Sequence, residues 1–77
     1  MTRVSAEAVR RVMDRPPYWL AHSYIPAYKS GRYSLEVLAL GVVAACGGSA
    51  YDQEAVDVAM NTLVNLGYGD AVAAVWV

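Results

Sequence analysis

The chain has 77 residues and a mass of 8.3 kDa, enough for one domain but small for an enzyme cleft with its supporting shell. Hydrophobic residues make up 57% of it and charged residues 17%, which excludes a disordered segment or a flexible linker. The net charge of −1 is unevenly distributed, because the chain after Tyr33 carries acids but no Lys or Arg, whereas the basic residues all precede it: Arg3, Arg10, Arg11, Arg15, Lys29 and Arg32.

The hydrophobic residues are not arranged to cross a membrane. The longest stretch without a charge, 37–51, begins with ten apolar or glycine residues, fewer than the roughly 20 that span a bilayer. The N-terminus shows no secretory signal, and Cys46 is the only cysteine. We therefore expect a soluble, cytoplasmic protein with a single helical domain over residues 1–77. Because so short a chain buries only about 60 to 65% of its unfolded surface, apolar area should remain for a partner or a second copy.

The first predicted helix begins at Ser5, whose hydroxyl is suited to accept amide protons at a helix start. Glu7 in the first turn suits the helix dipole. The predicted helix ends at 14–17, Asp-Arg-Pro-Pro, because proline pushes the preceding residue out of the α region. Its buried stripe consists of Val9, Val12 and Met13.

Residues 16–33 contain four of the six tyrosines and one of the two tryptophans. Pro17 is suited to be the first residue of a short helix that runs to about Ser23 or Tyr24. We expect Pro26 to end or kink this helix, and a second short turn or an extended stretch to follow it.

Ser34 is predicted to cap a helix over 35–46 that is apolar on nearly every side, as in the central helix of a small domain. Glu36 lies in its first turn, and Gly47 supplies a left-handed residue for its end. Gly41 lowers the helix propensity by about 1 kcal/mol, which suggests a close approach by a neighbouring helix.

A fourth helix is predicted to start at Asp52 or Ser49, to reach Leu66 and to stop at Gly67. Its predicted core face consists of Val56, Ala59, Met60, Leu63 and Val64, and its polar face of Glu54, Asp57, Asn61 and Asn65. Residues 71–77 favour either a short helix capped by Asp70 or a short strand. The sequence thus predicts an all-α bundle of four or five short helices around a central apolar helix, with a short C-terminal strand as an alternative.

The sequence offers little for catalysis or metal binding. His22 and Ser23 are neighbours in the chain and point in different directions on a helix, and Cys46 ends the most apolar helix. One Cys and one His are too few for a structural zinc site, and no phosphate-binding glycine motif occurs. We expect no enzyme activity, no metal and no cofactor.

Nucleic acid is the alternative partner. The predicted helices 34–46 and 52–66, joined by a Gly-Gly turn, have the outline of a helix-turn-helix or winged-helix domain. However, Asp52, Glu54 and Asp57 lie where phosphate contacts are needed. The N-terminal third combines basic residues with tyrosines, a combination that can hold a single strand.

Protein binding is the favoured interpretation, since Tyr, Trp and Arg are typical interface anchors. We expect a small inhibitor or adaptor, of the kind that mobile elements or phages encode, which occludes a larger protein through an aromatic patch and an acidic face. A protein that handles nucleic acid is one candidate for this partner. A homo-oligomeric subunit is a further alternative. The predicted partner-binding residues are Tyr18, Trp19, Tyr24, Tyr28, Arg32, Tyr33, Glu54, Asp57 and Asn61.

Overall fold

Helices account for the architecture of residues 4–69, the part of the chain that our computed structural model describes. They are α1 (Ala6–Asp14), a π-helical turn (Leu20–Tyr24) that continues directly into α2 (Ile25–Lys29), α3 (Leu35–Ala45) and α4 (Gln53–Asn65). The prediction of an all-α bundle is confirmed, and no strand occurs within these residues. The predicted alternatives for 71–77, with Asp70 as a cap, lie outside the described residues.

Polar side chains begin three of the helices, as predicted. The hydroxyl of Ser5 accepts the amide proton of Ala8 at 3.1 Å, and the hydroxyl of Ser34 accepts that of Val37 at 3.2 Å. The carboxylate of Asp52 accepts amide protons at the start of α4, so Asp52 rather than Ser49 is the cap. Each cap satisfies an amide that has no partner within its helix.

Glycines in the left-handed region end α3 and α4. Gly47 has φ 83° and Gly67 has φ 98°, a conformation that side chains with a β-carbon rarely adopt. After α3, the amide of Gly48 donates to the carbonyl of Val43 at 2.8 Å, which closes the last turn of the helix. The predicted ends of α3 and α4 are confirmed to within one residue.

Helix α3 lies at the centre of the bundle, as its apolar sequence predicts. Helices α1 and α4 pack on it, and so does the π-helical turn. Four of its side chains are fully buried: Leu38, Ala39, Val42 and Val43. They join a core completed from the other segments by Val9, Leu20, Tyr28, Ala55, Val56, Ala59 and Leu63. No helix within residues 4–69 has the length and apolar character needed to cross a membrane.

One side chain of α4 departs from the predicted core face. Val64 is 48% exposed, so its assignment to the core was wrong. The buried stripe follows Ala55, Ala59 and Thr62, and Val64 lies beyond its edge. Thr62 is buried although it is polar, because its hydroxyl donates to the carbonyl of Val58 at 2.8 Å.

Of the two effects predicted for Pro26, an end of the helix does not occur, because the helical segment continues past this residue. The chain is helical from Tyr18 to Lys29, and the amide of Ile25 donates to the carbonyl of Leu20, five residues earlier. This wider π bond comes just before Pro26, which therefore occupies the first turn of α2. In a regular α-helix the ring of a proline clashes with the carbonyl four residues earlier, and the wider π turn before Pro26 relieves this crowding.

Candidate functional site

Exposed aromatic side chains gather on the helical segment 18–29 and the loop that follows it. Tyr18 is 78% exposed, Trp19 43% and Tyr33 37%. His22 is also exposed, whereas Tyr24 is half-buried beneath its neighbours. We call these five residues the aromatic patch.

The rings of the patch form two groups, one of two rings and one of three, and within each group the rings contact one another. Tyr18 and His22 have ring centroids 4.2 Å apart, at an interplanar angle of 33°. Tyr24 packs edge-on against Trp19 at 5.6 Å and against Tyr33 at 5.5 Å. Edge-to-face pairs of this kind add to the stabilisation that burial gives, so the rings hold each other in position.

The π-helical turn explains why these particular residues meet. Trp19 and Tyr24 are five positions apart, a spacing that does not bring side chains together in an α-helix. The π turn, with its hydrogen bond between residues five apart, brings them onto one side. Turns of this kind are rare and often occur at functional sites. No sequence pattern indicated this turn, so the contact was not predictable.

Tyr24 connects the patch to the central helix. Its ring lies against the backbone of Gly41, where a β-carbon would come within 2.7 Å of the Cδ2 atom. The predicted close approach at Gly41 is therefore present, and it is made by an aromatic ring. Through Tyr24 the patch is in direct contact with the central helix α3.

The surroundings of the patch are basic. Residues 15–33 contain three cations, Arg15, Lys29 and Arg32, and no acid. All three are exposed, and the guanidinium of Arg32 donates to the hydroxyl of Ser30 at 3.3 Å. Within residues 4–69 the one ion pair joins Arg11 to Glu7 at 3.2 Å, so these three cations are not neutralised by a carboxylate there.

Tyr28 does not belong to the patch, which corrects its inclusion among the predicted partner-binding residues. It is only 2% exposed and lies in the core. Its hydroxyl donates to the carbonyl of Tyr68, and its ring packs against that of Tyr68 at a centroid distance of 6.0 Å. With no Phe in the chain, a tyrosine serves here as a large core residue.

The predicted acidic face lies on α4. Glu54, Asp57 and Asn61 are all exposed, and Asp57 accepts a hydrogen bond from Gln53 at 3.0 Å. Tyr51, just before this helix, is 99% exposed, and the sequence reasoning missed it. Its position between Gly48 and the cap Asp52 was the available signal, because such connecting residues lie on the surface.

Among the groups considered for catalysis, Cys46 has a shifted pKa. Burial raises the pKa of the half-buried Cys46 thiol, which favours the unreactive protonated form. Within residues 4–69 no three His, Cys, Asp or Glu side chains are grouped to hold a metal ion.

An open groove of about 260 Å³ lies away from the patch. Its lining comes from α1 and from the residues after α4: Arg10, Met13, Asp14, Leu66 and Tyr68. The groove therefore shares no residue with the patch or with the acidic face. No protein-family model, curated protein or solved structure matches the chain.

Proposed function

We propose that the chain is a non-enzymatic protein-interaction module, which binds a larger protein through the aromatic patch in the manner of a small inhibitor or adaptor. The observation that carries this proposal is the exposure of Tyr18, Trp19 and Tyr33 on one segment. Tyr and Trp dominate the energetics of protein interfaces, because they bury a large area at a small entropic cost.

The way the patch is held also supports a binding role. Trp19 contacts Tyr24, and Tyr24 is supported from below by the backbone of Gly41. Side chains that are already held in place lose less conformational freedom when a partner covers them. Binding through Trp19 should therefore cost less conformational entropy than binding through a side chain on a flexible loop.

The charges favour a protein over a nucleic acid as the partner. In a helix-turn-helix arrangement the start of α4 would approach the phosphates, yet Asp52, Glu54 and Asp57 are exposed there. Like charges would repel each other at that surface. The cations beside the patch, Lys29 and Arg32, are as well suited to carboxylates on a protein as to phosphates.

The experiment is crosslinking in the native host with the photoreactive residue p-benzoylphenylalanine at position 18. We expect a single host protein to be captured at this position and not at position 65, which is an exposed asparagine on α4. Capture should fall at least tenfold when Trp19→Ala is added. Equal capture from both positions would contradict the proposal.

A matched control separates binding from a general loss of apolar surface. Leu66 is 42% exposed, almost the same as Trp19 at 43%, but it lies outside the patch. Leu66→Ala should therefore leave capture at position 18 unchanged. Retention of oligothymidylate by the wild type, abolished by Trp19→Ala, would instead assign the patch to single-stranded nucleic acid.

A further inference from the structure

We propose that the aromatic patch also docks on the start of α4 in a second copy of the chain, so that copies assemble head to tail. The inference rests on the proposed function in using the same patch as a docking surface. It goes further by naming one partner, a second copy of the chain, whose docking surface is part of the same structure.

Charge complementarity between two surfaces of one molecule is the first argument. The patch is flanked by Lys29 and Arg32, with no acid anywhere in residues 15–33. The start of α4 exposes Glu54 and Asp57, and the chain from position 34 onward contains no Lys or Arg. Neither surface is neutralised by an ion pair within residues 4–69, so each is available to the other in a second copy.

Each surface also presents an aromatic anchor. Trp19 and Tyr18 are exposed on the basic side, and Tyr51 is 99% exposed beside the acids. Aromatic side chains that become buried at the centre of an interface contribute most of the affinity. The charges around them set the orientation of the two molecules and raise the association rate. Tyr51 is almost fully exposed and lies beside acidic residues, whose charge is opposite to that of the cations at the patch. It is therefore suited to pack against the patch of another copy.

The two surfaces belong to different parts of the bundle. The patch is on the segment that packs on α3 through its π-helical turn, and the acidic surface is on α4, which packs on α3 and α1. A copy can thus offer its acidic surface while its patch is occupied. A contact between two unlike surfaces repeats from copy to copy and produces rings or open chains rather than a closed dimer.

Sedimentation velocity of the purified full chain tests the proposal over a roughly hundredfold range of concentration. We expect the mean mass to rise with concentration beyond that of a dimer. The rise should be suppressed in 1 M salt, because the screening length falls from about 10 Å at 0.1 M salt to about 3 Å. A monomer at every concentration would overturn the proposal.

Two double variants decide how the copies meet. The first removes the patch, with Trp19→Ala and Arg32→Ala, and the second removes the acidic surface, with Glu54→Gln and Asp57→Gln. All four side chains are exposed, and the helix cap Asp52 is left intact. Each variant alone should be a monomer. An equimolar mixture should form a one-to-one dimer and nothing larger, because only one competent pair of surfaces remains.

Other outcomes have distinct meanings. If the acidic-surface variant still dimerises by itself, the contact joins patch to patch, and the head-to-tail inference is wrong. If the mixture stays monomeric while the wild type assembles, the copies meet elsewhere, and it is wrong again. If the wild type never assembles but position 18 captures a host protein, the proposed function stands and this inference fails.

Discussion

The ring of Tyr24 lies so close to the backbone of Gly41 that a β-carbon at position 41 would come within 2.7 Å of the ring Cδ2 atom and 3.0 Å of Cγ. Both atoms belong to the rigid ring of Tyr24, so the ring can make room for a β-carbon only by moving as a whole. Trp19 and Tyr33 pack against the same ring, at 5.6 Å and 5.5 Å. A change in α3 is therefore transmitted to the aromatic patch.

We predict that Gly41→Ala destabilises the protein, although alanine is the better helix former. The propensity gain is about 1 kcal/mol, whereas overpacking in a core costs roughly 1 to 3 kcal/mol. Because the ring cannot move freely, the overpacking cost should be about 2 to 3 kcal/mol, the upper part of that range, and the net loss about 1 to 2 kcal/mol. Chemical unfolding in urea measures it.

The double variant Gly41→Ala with Tyr24→Ala is the control. Once the ring is removed, alanine at position 41 should be stabilising relative to Tyr24→Ala alone, by the propensity difference of about 1 kcal/mol. A destabilisation of the same size with and without the ring would show that the contact is not the cause.

Much of the bundle was predictable because local chemistry determines it. Ser5, Ser34 and Asp52 each begin a helix, since they accept amide protons that no residue in the helix can accept. The sequence of α3 predicted its central position, because a helix that is apolar on nearly every side has no face suited to contact with solvent. These inferences need only the residues of one helix.

Tyr28 shows what the sequence could not decide, since a tyrosine serves equally in a core and in an interface. We predict that Tyr28→Phe lowers the free energy of unfolding by about 1 kcal/mol, because the carbonyl of Tyr68 loses the hydrogen bond that the Tyr28 hydroxyl donates. Crosslinking from position 18 should be unaffected. Tyr33→Phe, at an exposed position, should change stability by less than about 0.5 kcal/mol.

The end of α3 provides a third prediction. Gly47 has φ 83°, and a β-carbon added to it would have no neighbouring atom within 4 Å. A substitution there is therefore disfavoured by the backbone conformation and not by a steric clash. Gly47→Ala should cost about 1 to 2 kcal/mol, the penalty of the left-handed conformation. Gly47→Asn should cost less, because asparagine tolerates this region. Equal losses in thermal unfolding would mean that the glycine is needed for another reason.

Cys46 gives a prediction about pH. Burial raises the pKa of its thiol, so the thiolate should form at higher pH than in a free cysteine. Alkylation by iodoacetamide should be slower at neutral pH and should reach half its maximal rate at higher pH than for a cysteine-containing peptide. A thiol whose pKa is raised on folding holds its proton longer in the folded state. The free energy of unfolding should therefore fall as pH rises from the usual thiol pKa to the folded one.

The same reaction on Cys46→Ala is the control for modification elsewhere. The pH dependence of stability at alkaline pH should be weaker in this variant than in the wild type, since the ionising thiol is gone. An alkylation profile identical to that of the peptide would show that burial does not affect the thiol.

The aromatic patch was predictable only in part, for a geometric reason. The density of tyrosines in 16–33 indicated an interface, but which rings meet depends on the π-helical turn before Pro26. That turn packs on α3, and the spacing of the aromatic residues in the sequence does not show it. The burial of Val64 was wrongly predicted because the orientation of α4 about its own axis depends on the helices that pack against it.

The central position of α3 also bears on how the molecule comes apart. Helix α4 packs mainly on α3, and α1 and the π-helical turn contact α3 as well. The fully buried residues of α3, among them Leu38 and Val42, lie in the core. We expect the contacts among the remaining helices to be too few to form a core once α3 has opened. The bundle should consequently behave as one cooperative unit, in which the amide protons of α3 exchange with solvent only when the whole domain unfolds.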